Sequence, residues 1–87
     1  MKFTVIWQPS AEQDLATLWM NAPDRNAVAL AADAIDAFLR RDPLAHGESR
    51  LGHSRVMFVP PLAVTYEVQE LDRLVTVTGV WRPQLRS

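Results

Sequence analysis

The sequence predicts an α+β domain in which residues 1–87 form a single unit. Its periodic segments follow the order of one strand, two helices and three strands. The strand segments alternate apolar and polar residues, whereas the helical segments repeat apolar residues every three or four positions. A lone strand at the start must pair with the later strands if its backbone N–H and C=O groups are to be satisfied. We therefore expect a three-stranded antiparallel meander that joins the first strand in one four-stranded sheet, with a helix hairpin over one face.

Length and composition restrict the classes of function. Eighty-seven residues that are 48% hydrophobic provide one modest core without cross-links. The sequence has no cysteine and only two histidines, so disulfides and thiolate metal sites are excluded, and we expect no metal and no other cofactor. Nine basic residues against ten acidic ones give a net charge of −1, which counts against a simple nucleic-acid binder.

The first ten residues, MKFTVIWQPS, lack the apolar run of a signal peptide, and no stretch of about 18 apolar residues follows them. Both observations favour a soluble protein. We therefore expect it in the cytoplasm, with no membrane among its partners.

The first strand is predicted at residues 2–7, where Phe3, Val5 and Trp7 share one face. Pro9 ends this strand. Because only one face is apolar, the strand is expected to be half-buried.

Two helices are predicted at about residues 10–22 and 24–41. Ser10 followed three residues later by Gln13 is a capping-box signature for the first helix. Pro43 stops the second helix, because a proline disfavours helical backbone at the residue before it. Apolar residues recur at helical spacing in both segments, which predicts that the helices pack side by side as a hairpin.

A surface loop is predicted at residues 43–52, and strands follow at residues 55–59, 62–70 and 74–82. The strands are rich in Val, Thr and aromatic residues, and turn signals such as Pro60-Pro61 separate them. Alternation divides the middle strand between a buried face with Leu62, Val64, Tyr66 and Val68 and a face available for function with Ala63, Thr65, Glu67 and Gln69. Tyr66 is accordingly interpreted as a core aromatic residue.

Three fragments, DPLAHGESRLG, PPLAVTYEV and DRLVTVTGVWR, resemble the RelE/ParE toxin superfamily, and the resemblance covers nearly the whole chain. Members tend to have a proline after the second helix, a Leu-x-Gly-like step before the second strand, a tyrosine in the third strand and a run of valines that ends in a basic residue. The matching positions are Pro43, Leu51-Gly52, Tyr66 and Val75-Thr76-Val77 through Arg82. The resemblance implies the toxin component of a type II toxin–antitoxin module, which inhibits growth and is neutralised by a cognate antitoxin protein.

In the RNA-cleaving branch, the resemblance implies a ribosome-dependent mRNA endonuclease, with the ribosome and messenger RNA as partners. Basic residues on the strands hold the scissile phosphate, because charge builds up on its oxygens as the 2′-hydroxyl attacks. Arg82 matches the family's basic position on the last strand, and Arg55 lies close to those of the second strand. With Arg50 they are expected to bind RNA phosphate, and His53 to carry protons, since an imidazole titrates near neutrality. The predicted catalytic residues are therefore Arg82, Arg55 and His53.

Two departures from the family pattern favour other functions. Ala63 stands where many RNA-cleaving members carry an arginine, and residues 83–87 lack the tyrosine or histidine expected after the last strand. A ParE-like toxin, which binds a large protein target such as DNA gyrase, needs no catalytic residues. A toxin-derived binding module without activity is the third possibility. For a toxin, we expect an antitoxin tail to cover an exposed apolar strip, along the helices or at the edge of the sheet.

Overall fold

The computed structural model of the protein describes residues 2–45, 48–49 and 54–83. In chain order its elements are β1 (Thr4–Trp7), α1 (Pro9–Asn21), α2 (Arg25–Arg41), β2 (Glu48–Ser49), β3 (Ser54–Val59), β4 (Leu62–Gln69) and β5 (Leu74–Trp81). The predicted α+β class is confirmed, and the order of helices and long strands is the predicted one. In the described part of the chain, neither helix is long and apolar enough to cross a lipid bilayer.

The strands form one sheet in the order β1-β5-β4-β3-β2. Strands β3, β4 and β5 are antiparallel neighbours, as in the predicted meander. Strand β1 pairs in parallel with β5, so that Thr4 lies opposite Leu74 and Trp7 opposite Val77. The first and last long strands of the chain are therefore adjacent, and β1 forms one edge of the sheet.

Strand β2 is an addition to the predicted four strands. It lies inside the segment predicted as a loop, residues 43–52, and pairs antiparallel with β3. Two residues are too few to display an alternating pattern, so the sequence carried no signal for this strand.

The start of α1 also differs from the prediction. Ser10 lies within the first turn, Pro9 is the first helical residue, and Gln8 is the N-cap without a side-chain cap hydrogen bond. The backbone carbonyl of Gln8 accepts the first helical hydrogen bond from the N–H of Glu12 at 2.9 Å. The capping-box interpretation is therefore wrong. A proline is favoured at the first helical position because it has no N–H to leave unsatisfied.

The core lies between the two helices and one face of the sheet. Its buried members come from both helices and from β3, β4 and β5: Ala11, Val28, Ala31, Ile35, Leu39, Met57, Leu62, Val64, Tyr66, Val75, Val77 and Val80. Strand β1 adds the partly buried Phe3, Val5 and Trp7. The predicted buried face of β4 and the predicted position of the helix hairpin are thus confirmed, and neither of the two described helices lies over the opposite face of the sheet. We call this second surface the open face.

Candidate functional site

Arg82 lies just beyond the end of β5 and forms an ion pair with Asp24, the residue that precedes α2. Its two terminal nitrogens donate to the two carboxylate oxygens at 2.7 and 2.9 Å, which is the bidentate geometry that suits a guanidinium. The hydrogen bond from Arg82 lowers the pKa of the Asp24 carboxyl and raises the pKa of Arg82 itself. The donors predicted to hold a phosphate are thus already occupied by a carboxylate of the same chain.

Arg55 lies on the helix side of the sheet, because its partner across the β3–β4 ladder is the core residue Tyr66. Its guanidinium donates to the carbonyl of Leu44 at 3.3 Å, and the buried Tyr66 hydroxyl donates to the carbonyl of Pro43 at 2.9 Å. Burial raises the pKa of the Tyr66 hydroxyl, while a hydrogen bond with Arg55 opposes that rise. Together the two side chains tie the turn after α2 to the sheet, and the interpretation of Tyr66 as a core aromatic residue is confirmed.

The structure does not bring Arg55 and Arg82 together. Arg82 contacts the residue before α2, whereas Arg55 contacts the turn that follows α2. A helix of 17 residues is about 25 Å long, so the two guanidiniums lie at opposite ends of it. Arg50 and His53 lie outside the described residues. The predicted roles of these four residues in phosphate binding and proton transfer stay predictions.

Two aromatic side chains and a buried alanine form a row across the open face. Phe58 of β3 lies opposite Ala63 of β4, which in turn lies opposite Trp81 of β5. Phe58 is 57% exposed and Trp81 is 39% exposed, yet the alanine between them has no exposed surface. We call these three residues the aromatic row. An arginine at position 63 would have to displace both aromatic side chains, so the departure of Ala63 from the RNA-cleaving pattern fits its surroundings.

Beside the aromatic row, two threonine hydroxyls stabilise the sheet. Thr65 and Thr78 lie 3.0 Å apart, oxygen to oxygen, at an irregularity in the β4–β5 pairing. A Cβ atom on Gly79 would lie only 2.9 Å from the Thr65 hydroxyl, so a side chain there would push the threonine away. The glycine thereby allows the hydroxyl pair to form.

The open face has little charge on its described strand residues. Glu67, which lies opposite Thr76, is exposed and is the single charged residue that β1, β3, β4 and β5 place on this face. None of these strand residues on the open face is basic. The face is therefore apolar at the aromatic row and acidic further along β4.

An apolar groove runs between α1 and α2 on the other side of the molecule. It has a volume of about 430 Å³ and is lined by Leu15, Ala16, Trp19, Val28, Ala29 and Ala32, with Glu12 and Asp33 at its rim. At the Trp19 end, the guanidinium of Arg25 lies 4.9 Å from the centre of the tryptophan ring. A second hollow of about 280 Å³ continues past Leu15 and Ala32 to Trp7 and Asp36. We call the two hollows together the helix groove.

The sequence predicted an exposed apolar strip along the helices or at the sheet edge and a face of β4 available for function, but it did not identify the residues that line the helix groove or the aromatic row. The groove had a readable signal, since Ala16, Ala29 and Ala32 are small residues that leave space between neighbouring helices. Phe58 also had one, because it alternates with the core residue Met57 and so belongs to the opposite face.

Several solved structures of proteins from toxin–antitoxin systems have this fold. A chain of the RelBE2 toxin–antitoxin complex from Mycobacterium tuberculosis superposes with a TM-score of 0.77 at 20% identity, over 95% of this chain and 93% of that one. A chain of the chromosomal ParDE system from P. aeruginosa gives a TM-score of 0.70 at 14% identity, over 95% and 98%. The isolated E. coli RelE toxin gives a TM-score of 0.69 at 10% identity, over 97% and 87%. The chain therefore has the fold of the RelE/ParE toxins.

Comparisons of the sequence alone are negative. No family model matches it, and no curated protein matches it significantly.

Proposed function

We propose that this protein is the toxin of a type II toxin–antitoxin module and that a cognate antitoxin neutralises it. The observation that carries the proposal is the fold, which the chain shares over nearly its whole length with chains from the RelBE2 and ParDE systems and with an isolated RelE toxin. Fold alone does not define function, so the surfaces of this chain have to support the same conclusion.

The helix groove supports an antitoxin partner. Its lining is apolar and partly open to solvent, as expected of a surface that a partner covers. The carboxylates of Glu12 and Asp33 border it, while that of Asp36 is paired with Arg40, so the favoured occupant is an amphipathic helix whose apolar stripe is flanked by Lys or Arg.

The open face favours a protein target over messenger RNA. A site that stabilises a cleaving phosphate needs cations directed at its oxygens. The described strand residues of the open face include no cation, and Arg55 and Arg82 make contacts within the fold on the helix side. We therefore favour the ParE-like mode, in which the toxin binds a protein such as DNA gyrase and stops growth without catalysis.

Induced expression in bacterial cells tests both parts of this proposal. We expect growth arrest that co-expression of the antitoxin relieves, with intact transcripts and with inhibition of supercoiling by purified DNA gyrase. Growth without arrest would contradict the toxin assignment. Ribosome-dependent cleavage of a short message would instead favour the nuclease, in which case Arg82→Ala should lower the cleavage rate by roughly 10²–10³.

A matched pair of variants tests the antitoxin site. Ala29→Phe places a bulky side chain in the helix groove and should prevent rescue by the antitoxin while growth arrest persists. Ala37→Phe makes the same change at an exposed position of α2 outside the groove and should leave rescue intact. Equal rescue of both variants would show that the antitoxin docks elsewhere.

A further inference from the structure

The aromatic row is an apolar surface that neither of the two described helices covers. Ala63 is fully covered while its neighbours Phe58 and Trp81 keep large exposed areas, so the row is a continuous apolar strip across three strands. Exposed aromatic side chains on a fixed backbone are typical anchors of protein interfaces, because they bury a large area with little loss of side-chain entropy.

Local contacts hold the row in place. Trp81 is followed directly by Arg82, whose bidentate ion pair with Asp24 joins the end of β5 to the start of α2. The Thr65–Thr78 hydroxyl pair joins β4 to β5 next to the row. A partner that binds here does not have to order the surface first, which lowers the entropic cost of binding.

Charge distinguishes a protein occupant from a nucleic acid. Phe58 and Trp81 could stack on bases, but a nucleic-acid groove also requires basic side chains along the backbone path. Among the open-face residues of β1, β3, β4 and β5, the single charge is the carboxylate of Glu67, which repels phosphate. A cationic side chain of a protein is the complementary group.

We infer that the aromatic row and Glu67 form the docking site for the protein target, which presents an apolar side chain to the row and a Lys or Arg to Glu67. Ala63 and Glu67 are four residues apart on β4, so the two contacts are separated by about 13 Å. The assignment of the bound protein as the target of the toxin rests on the proposed function.

Two substitutions test the site, each with a matched control. Trp81→Ala removes an exposed anchor of the row, and Leu30→Ala removes an exposed apolar side chain of α2 that lies outside the row and the groove lining. Glu67→Lys reverses the charge of the open face, and Glu70→Lys makes the same reversal in the turn after β4. The readouts are growth arrest, binding to purified DNA gyrase and to a single-stranded RNA oligonucleotide, antitoxin binding and the thermal midpoint.

We expect Trp81→Ala and Glu67→Lys each to weaken gyrase binding by about tenfold or more and to relieve growth arrest, with antitoxin binding and thermal midpoint close to wild type. The two controls should behave like wild type. RNA binding that strengthens in Glu67→Lys together with increased toxicity would overturn the inference in favour of a nucleic-acid surface.

The measured outcomes distinguish a failure of this inference from a failure of the proposed function. A toxic wild type whose Trp81→Ala and Glu67→Lys variants remain fully toxic overturns the docking site alone. A wild type that does not arrest growth overturns the toxin assignment. In that case gyrase binding still decides the docking site, since loss of binding in the two variants supports it and absence of binding by the wild type rejects it.

Discussion

The two faces of the sheet use apolar residues in opposite ways. On the helix side, Leu62, Val64 and Tyr66 of β4 have no exposed surface and touch the helix hairpin. On the open face, the same strand contributes Ala63, which is buried between its cross-strand neighbours Phe58 and Trp81, and these two side chains are themselves exposed. A single strand thus stabilises the fold with one face and carries on the other the surface that we propose for recognition, and substitutions on the two faces should separate these effects.

The largest expected difference is in stability. Leu39→Ala removes a fully buried side chain from the helix-covered core and should lower the free energy of unfolding by about 2–5 kcal/mol, because it deletes buried methyl groups and leaves a cavity. Phe58→Ala on the open face should cost about 1 kcal/mol or less, because its side chain is mostly solvated. Denaturant unfolding of both variants measures the difference. Equal losses in the free energy of unfolding would mean that Phe58 is packed as tightly as a core residue.

An intermediate loss of stability is expected when an arginine, which many RNA-cleaving members carry at this position, replaces Ala63 on the open face. Ala63→Arg should destabilise the protein by about 1–3 kcal/mol, because the long side chain must displace Phe58 and Trp81 from their positions over residue 63. It should not produce ribosome-dependent cleavage, since Arg55 and Arg82 lie on the helix side of the sheet. The free energy of unfolding and a message-cleavage assay check the two statements. A stable, RNA-cleaving variant would contradict our view of the open face.

The smallest effect should come from the ion pair between Asp24 and Arg82. The pKa of Asp24 is lowered from its ordinary value of 3.8 by the hydrogen bond from Arg82. A carboxyl whose pKa is lower in the folded protein stabilises the fold above its ordinary pKa, and this contribution is lost as the pH falls through the folded value. Arg82→Ala should therefore lower the thermal midpoint slightly at neutral pH and by less at pH below 3.8. The contribution is small because both groups are well exposed to solvent.

Much of the fold could be predicted from sequence because it depends on local periodicity. The alternation in residues 62–69 fixed both the strand and its buried face, and the helical spacing of residues such as Val28, Ile35 and Leu39 fixed the face of α2. The start of α1 and the strand β2 were not predicted, since a proline can either end one element or begin the next, and a two-residue strand has no period.

The candidate site was less predictable because its residues meet through distant contacts. Arg55 and Arg82 carry the charge that phosphate binding needs, and the sequence gives no sign of what each one touches. In the structure Arg82 pairs with Asp24, 58 positions away, and Tyr66 donates to Pro43, 23 positions away. Arg50 and His53 lie outside the described residues, so their roles stay predictions.

The sequence by itself determined the α+β class, the order of the long elements and the resemblance to RelE/ParE toxins, because each follows from the spacing of apolar residues and a few fixed positions along one chain. Only the tertiary structure decided that Arg55 and Arg82 face the helix side at opposite ends of α2, and that Phe58 and Trp81 lie on either side of Ala63. The physical reason is that strand register and helix packing bring together residues that are far apart in sequence. These contacts decide whether a charged or aromatic side chain is paired within the fold or exposed to a partner.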